Sequence, residues 1–385
     1  MNENETHKRE PKVTCTRCGI EYPASGAPFN CSCGGVYDYA YFPVYAEPKL
    51  SDRQPGIFVY HQLFGLEKDS RWITLGEGNT PLLDWRINGK QVFLKMEGQN
   101  PTGSYKDRGS AVLTSFLLGR GVRTVVEDSS GNAGASLAAY CARANLPLSV
   151  YIPESASGPK RWQIEMYGAQ VHRIAGERTR AAEAVLRGVS EDRIYASHAY
   201  MPFGLPGIAT IAYELYQQLG GAPGTLIAPV GHGGLLYGIM LGFTALRDSG
   251  AISRLPYFVG VQSESCAPLV LAYTNHLDDF EDIQPKESLA EGASVSKPVR
   301  GSQILRRMYA GYGEMQSARE DQIFSVYSMT ARAGIFCEPT ACLSLIPLLN
   351  DKIEMQEPVV AILTGAGLKT GAIISANNVT ANSPV

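Results

Sequence analysis

No stretch of this sequence reaches the roughly 18 consecutive apolar residues that a membrane-spanning helix requires. The longest candidate, LLYGIMLGFTAL at residues 235–246, is far too short. The polar start, MNENETHKREPKV, has no apolar run of the secretory kind. A cytoplasmic location without a membrane partner is therefore expected. An excess of positive charge is missing as well: the formal net charge is −3 and the pI near 6.1, which argues against nucleic acid or an anionic membrane as the main partner. The first 50 residues hold five Lys or Arg against six Asp or Glu, so no basic patch is concentrated there either. Internal repeats and low-complexity tracts are also absent.

What is present points to a globular chain. Its 385 residues, at ~150 per domain, suggest two to three domains. With 44% hydrophobic, 18% charged and 9% aromatic residues it can bury a sizeable core, which excludes wholesale disorder. Forty glycines exceed the ~7% average and fall in clusters, as expected of backbone loops that close on a ligand.

The eight cysteines form two groups. Cys141, Cys266, Cys337 and Cys342 are scattered through apolar sequence and read as buried small hydrophobes. Cys15, Cys18, Cys31 and Cys33 follow a Cys-x2-Cys-x12-Cys-x-Cys spacing. Four thiolates in two knuckles suit tetrahedral zinc, although the second knuckle is one residue short of the usual pair. The competing reading is a ribbon that packs through Tyr22, Phe29 and Tyr37 without metal.

Residues 1–12 are charged and read as loosely attached. Prolines 43, 48, 55 and 81 leave 41–90 irregular. From about residue 91 the pattern alternates. Apolar or β-branched runs at 91–97, 124–128, 148–153, 225–230, 258–262 and 358–364 are separated by helical patterns at 109–120, 133–145, 160–169 and 235–247, with ACLSLIPLLN (341–350) before the last run. Such alternation means crossover units and a mostly parallel sheet, with functional loops at the carboxyl ends of the strands. The polar segment 276–318 reads either as a long surface excursion or as a mobile cover over a site.

Four glycine-marked loops fall where strands are expected to end. NPTGSYKDRG (100–109) places Lys106 at a helix start, where the macrodipole and burial both depress a lysine pKa. A partly neutral lysine is what Schiff-base chemistry needs; an ordinary surface lysine paired with Asp107 is the alternative. SSGNAG (129–134) offers helix-start amides for a carboxylate and the Asn132 amide for a phenolate-like oxygen. Its plain alternative is a helix cap made by Ser130 or Asn132. PVGHGGLLYG (229–238) reads as a cup for a single phosphate monoester. It has neither the third glycine of a dinucleotide fingerprint nor the GK[ST] ending of a triphosphate loop, and a tight turn without ligand remains open. In LTGAGLKTG (363–371), the Thr364 hydroxyl ends an apolar strand and suits a heterocyclic nitrogen. A lysine of this kind with a phosphate cup and two carboxyl-end loops makes up a pyridoxal phosphate site.

These loops, together with GEGNTPLL (76–83), GVQSES (260–265) and GIFCEPTACLSL (334–345), closely resemble the threonine synthase family, in the fold-type II group of pyridoxal-phosphate enzymes. The motifs keep the family's order over roughly 70–375. The resemblance implies an N-terminal zinc-ribbon-like segment at 1–45 and a catalytic domain at 46–385, made of two α/β lobes with mostly parallel sheets. The smaller lobe, about 120–215, is expected to close over substrate. It implies that Lys106 holds the cofactor as a Schiff base and shuttles protons, and that Asn132 contacts the ring hydroxyl. Gly231, His232, Gly233, Gly234 and Leu235 would hold the phosphate, and Thr364 would contact the pyridine nitrogen. The implied reaction turns O-phospho-L-homoserine and water into L-threonine and phosphate. The implied assembly is a homodimer acting on a small amino acid. Ser129 and Ser130 belong to the substrate loop, and Lys160 with Arg161, or Lys95, would clamp the leaving phosphate.

Two departures bear on activity. The loop reads SSGNAG where a threonine more often follows the asparagine, and the cup holds His232 where asparagines are common; His232 is a general acid near the phosphate or a filler. The alternatives are a β-eliminating or β-replacing enzyme of the cysteate synthase or serine/threonine deaminase kind, and a zinc-ribbon binding module with a silent catalytic body.

Overall fold

A computed structural model describes residues 10–48, 54–67, 69–156, 158–176, 178–280, 283–350 and 355–370. Most of the charged start (1–9) and the last residue of LTGAGLKTG lie outside them. Strands β1 (Lys12–Cys15) and β2 (Tyr37–Tyr41) pair antiparallel; β1 ends on Cys15, and the connection between them carries Cys18, Cys31 and Cys33. Strand β3 (Leu82–Ile87), inside the stretch expected to be irregular, forms an antiparallel hairpin with β4 (Lys90–Met96), the strand expected at 91–97. Its signal is the pair Asn88-Gly89, whose φ values of 51° and 72° suit a two-residue hairpin turn.

The alternation then follows the expected runs where they were read, and the stretch 170–219, for which no element was expected, adds two strands and two helices. Helix α1 (Lys106–Gly119) leads to β5 (Val125–Glu127), α2 (Asn132–Ala144) and β6 (Leu148–Pro153). Next come α3 (Pro159–Met166), β7 (Gln170–Ile174), α4 (Arg178–Arg187), β8 (Ile194–Tyr195) and α5 (Leu205–Leu219). Last are β9 (Thr225–Pro229), α6 (Gly234–Asp248), β10 (Tyr257–Ser263), β11 (Gly313–Ala318) and β12 (Val359–Leu363). The main sheet has the order β11-β10-β9-β12-β4-β3, and a four-stranded sheet has the order β7-β6-β5-β8. Every pairing in the two is parallel except β3–β4.

The central strands β9 (TLIAP) and β12 (VVAIL) are buried at every position, as strands covered on both faces must be. Their residues alternate between two cores. Leu226, Ala228, Val360 and Ile362 pack with α1, α5 and α6, whereas Ile227, Val359, Ala361 and Leu363 face Ile323, Val326 and Leu345. The segment 276–318 is no detached excursion: Gly292 and Ala293 line the cavity described below, Arg300 is buried, and 313–318 supplies the edge strand β11. Run 341–350 forms a short helical turn followed by a 3-10 stretch around Pro347, because a proline nitrogen cannot continue an α-helical ladder. Among the described residues no helix is long and apolar enough to cross a membrane.

Candidate active site

The loops that leave β4, β5, β9 and β12 at their carboxyl ends surround one cavity of about 350 Å3. Lys106, Ser129, Ser130, Asn132, Gly231 and His232 line it, as do Leu235, Lys160 and Thr364. The first and last loops are stitched together: Tyr105 N–H donates to the Thr364 carbonyl at 3.0 Å, and Ala366 N–H to the Gly103 carbonyl at 2.9 Å.

Lys106 is the first residue of α1, with Nζ 4.9 Å from the centre of the Tyr105 ring. Its neighbours point elsewhere. Asp107 is buried and accepts from Thr102 N (2.6 Å), Thr102 Oγ1 (2.5 Å) and Ser136 Oγ (2.6 Å), so it turns inward toward α2 instead of serving as a surface partner for Lys106. Burial raises its carboxyl pKa against the pull of those bonds. Arg108 is 0% exposed and forks onto Glu97 and Glu214, at 2.8 and 2.6 Å. Three consecutive side chains thus anchor the loop and aim the first of them into the cavity.

The same ion cluster removes Lys95 from the site. Lys95 is 0% exposed and donates to Glu214 Oε2 (2.7 Å), the Thr80 carbonyl (2.8 Å) and Gln218 Oε1 (3.0 Å). It stands on a buried strand next to carboxylates, so it is a structural cation and not a phosphate clamp. Arg161 likewise does not line the cavity; its guanidinium reaches the Ala156 carbonyl (3.1 Å) and Glu165 (3.4 Å). Lys160 does line it, 3.8 Å from Glu338 Oε2.

Glu338 is the residue that sequence reasoning passed over. It is buried, and it accepts from Asn132 Nδ2 and from Thr364 Oγ1, each at 2.8 Å. The two side chains singled out separately are therefore held by one carboxylate. The available signal was a lone carboxylate in the otherwise apolar GIFCEPTACLSL. Lys369 was missed too: it lines the cavity, donates to the Thr102 carbonyl at 2.6 Å, and is pushed down to about 8 by burial, against Asp107 and Glu338.

The asparagine loop needs its glycine. A Cβ on Gly134 would lie 1.9 Å from the Ser129 carbonyl oxygen, because the loop folds back over the start of α2. The cap of α2 is Gly131 without a side-chain cap bond, so neither Ser130 nor Asn132 is spent on capping. At the cup, α6 begins after Gly233, whose φ of 89° is left-handed, and the first amides of the helix project from its end. Gly231, His232 and Leu235 face the main cavity, while Gly234 faces a smaller one beside it, together with Glu127 and His198. His198 Nδ1 lies 3.5 Å from Glu127 Oε1, and its ring meets that of His232 edge-on at 5.8 Å. Nothing in the sequence pattern marks this grouping, because Glu127 lies 71 positions before His198 and His232 lies 34 positions after it.

The residues fit pyridoxal phosphate. A converging set of helix-start amides suits a phosphate monoester. Among the described residues Asn132 Oδ1 is buried without a hydrogen-bond partner, and as an acceptor it suits a donor such as a ring hydroxyl, its Nδ2 being engaged with Glu338. The cysteine cluster fits zinc: all four Sγ atoms lie within 4.8 Å of one another, with Cys15–Cys33 at 3.5 Å and Cys18–Cys31 at 3.7 Å. A tetrahedron of Zn–S bonds of about 2.3 Å places neighbouring sulfurs about 3.8 Å apart. Thiols of the cluster shift one another: the backbone amide of Cys33 lowers the Cys31 pKa, while Cys18 is raised beside its neighbouring sulfurs.

Comparison with known proteins agrees with this geometry. The model of the family "Pyridoxal-phosphate dependent enzyme" matches residues 73–365. A threonine synthase of Methanocaldococcus jannaschii is 34% identical over 92% of this chain and 92% of its own length. One of Mycobacterium leprae is 33% identical over 82% of this chain and 89% of its own. Among solved structures, an L-serine ammonia-lyase from Rhizomucor miehei superposes with a TM-score of 0.68 at 22% identity, covering 77% of this chain and 96% of its own. Maize serine racemase gives 0.66 at 19% identity, covering 76% and 90%. At such identities these structures establish the fold alone, that of the fold-type II enzymes. The family match, the near-full-length relatives and the four converging loops make this chain a pyridoxal-phosphate-dependent carbon–oxygen lyase that belongs to the threonine synthase family.

Proposed function

We propose that the chain is a threonine synthase that converts O-phospho-L-homoserine and water into L-threonine and inorganic phosphate. The observation that carries the reading is a second cationic end in the cavity, besides the cup. Lys160 from α3 and Lys369 from the turn after β12 both line it, and both lie near Glu338. A substrate whose side chain ends in a phosphate dianion calls for such fixed cations; serine or threonine does not.

In this reading the amides of Gly231 to Leu235 hold the cofactor's phosphate, with His232 beside it. Asn132 orients the ring hydroxyl, and the neutral Thr364 hydroxyl faces the pyridine nitrogen, both steadied by Glu338. Bound pyridoxal phosphate supplies an electron sink for negative charge at the substrate's α-carbon. Lys106, the covalent attachment point, moves the protons at Cα and Cβ and returns one to Cγ, which becomes the methyl group once phosphate has left. Ser129, Ser130 and the start of α2 receive the α-carboxylate. Lys160 and Lys369 hold the phosphate as its bond to Cγ breaks, and water then adds at Cβ. The lobe at about 120–215 closes over the substrate and limits water access. The four cysteines hold zinc as a structural ion, and the working form is a cytoplasmic homodimer, a point that rests on the family resemblance.

The test is to supply O-phospho-L-homoserine and follow phosphate and threonine together. Equal amounts of both are expected, and Lys106→Ala should lose this activity along with the visible band of the bound cofactor. An intact band with no turnover would reject this substrate and turn the search to serine, phosphoserine and other β-substituted amino acids.

A further inference from the structure

Arg300 lies in the polar excursion, just after the segment around Gly292 and Ala293 that lines the cavity, and it is 1% exposed. Its backbone N–H donates to the His232 carbonyl at 2.9 Å. Its guanidinium donates to the Tyr37 carbonyl at 2.8 Å and to the Tyr200 carbonyl at 2.7 Å, with Asp38 Oδ1 3.8 Å away. One residue therefore touches the phosphate cup, strand β2 of the cysteine unit, and the turn after His198.

The next residue of β2 makes a second tie. Asp38 Oδ2 accepts from the Tyr237 hydroxyl at 2.8 Å and from Gln303 Nε2 at 3.2 Å. Tyr237 stands in the first turn of α6, the helix whose start forms the cup. Little slack separates these parts. A Cβ on Gly233 would meet Ile304 Cδ1 at 2.8 Å and Arg300 Cβ at 3.1 Å.

On its other side β2 is held by the cysteines. Cys15 pairs with Tyr37 and Thr14 with Asp38, so the two residues that reach the cup sit opposite the strand end that carries the first thiol. A Cβ on Gly35 would lie 2.5 Å from Cys15 Sγ and 3.3 Å from Cys33 Sγ, so the base of β2 passes directly over the sulfur cluster. Among the described residues the unit's own buried apolar core is Cys15, Cys31 and Tyr37, with Val13, Tyr22 and Cys33 packed against it. A two-stranded ribbon this small draws its order from a metal ion or from docking.

We propose that Arg300 is a positioning residue that joins the cysteine unit to the cup, so that a zinc ion held by Cys15, Cys18, Cys31 and Cys33 sets the cup's affinity for the cofactor's phosphate. The proposal rests on the reading of 231–235 as the phosphate site. Without the ion β2 loses its anchor, the buried guanidinium loses a fixed acceptor, and the His232 carbonyl loses the support that fixes the direction of the neighbouring amides. Binding by converging N–H groups depends on that direction.

The experiment uses the full chain and two probes, pyridoxal phosphate and pyridoxal, the second lacking the phosphate. Their dissociation constants are read from the visible band in zinc-loaded and chelator-treated protein, for the wild type, Arg300→Met and Tyr237→Phe. Zinc removal should weaken pyridoxal phosphate about tenfold in the wild type, within the usual range of site-to-site coupling, and leave pyridoxal within about twofold. Arg300→Met should show the weakened value at once, with no further loss on chelation, because the two changes break one connection. Tyr237→Phe, which keeps the ring and removes only the tie to Asp38, should give a smaller loss, again for pyridoxal phosphate alone. Equal weakening of both probes would mean general loosening and would overturn the proposal. So would no weakening of either, full additivity of chelation and Arg300→Met, or a purified chain that neither carries nor takes up zinc. Equal affinity of the zinc-loaded wild type for the two probes would overturn the assignment of the cup itself.

Discussion

At the scale of single residues, the site is organised by carboxylates that do no chemistry of their own. Glu338 holds Asn132 and Thr364 on its two oxygens, and Lys160 stands beside it. Lys369 adds a cation that burial brings to about 8, so it loses its charge as pH rises through that value. If Lys369 grips the leaving phosphate, KM for O-phospho-L-homoserine rises above about pH 8 in the wild type. In Lys369→Met, KM is about ten- to hundredfold higher at neutral pH, the worth of one charge-assisted hydrogen bond, and the rise with pH disappears. Steady-state kinetics across pH read both effects, and an unchanged KM in the variant would remove Lys369 from the clamp. Lys106, Asn132 and Thr364 were legible because each follows an apolar strand inside a glycine-marked loop. Glu338 and Lys369 were not, because their meaning lies in partners distant in sequence, Asn132 for Glu338 and Thr102 for Lys369. Lys95 misled for the same reason: its charge was visible, but its burial against Glu214 was not.

At the scale of elements, each loop works because a strand stops and a helix starts within a few residues, and glycine allows the close return. The strand and helix runs were readable from apolar periodicity, mostly to within one to three residues. Strand β3 was masked by nearby prolines and edge strand β11 (GEMQSA) by its polar residues, and β7, α4, β8 and α5 were not read from the sequence. The loop over α2 makes the clearest element-level prediction. Gly134→Ala places a methyl 1.9 Å from the Ser129 carbonyl oxygen, so loop and helix must separate. Such overpacking costs about 1–3 kcal/mol, read as a lower Tm, and substrate KM should rise with it as Ser129 and Ser130 move. A variant with unchanged Tm and unchanged KM would show that the loop is looser than described.

At the scale of the whole molecule, loops from the main sheet and the four-stranded sheet meet around one cavity, the cysteine unit is tied to the cup through Arg300 and Asp38, and a buried ion cluster braces β4, α1 and α5. Burial by itself would raise the Glu214 pKa, but Arg108 and Lys95 overcome that and hold the carboxyl at about 2. Its folded value lies below the ordinary 4.5, so its contribution is complete above about pH 4.5 and is lost as pH falls toward 2. Breaking such a buried pair costs about 3–5 kcal/mol. The gap in Tm between wild type and Glu214→Gln should therefore be wide at neutral pH and shrink as pH falls from about 5 to about 3; a constant gap would contradict this. The layered α/β order was legible from the sequence, but the docking of the cysteine unit was not, because it depends on Arg300 and Asp38 meeting across the fold. The central claim, carbon–oxygen cleavage with water added to carbon, is tested most directly by running the reaction on O-phospho-L-homoserine in 18O-labelled water. The account predicts threonine and phosphate in equal amounts, with one label in the threonine hydroxyl and none in the phosphate. Label in the phosphate, or phosphate without threonine, would contradict it.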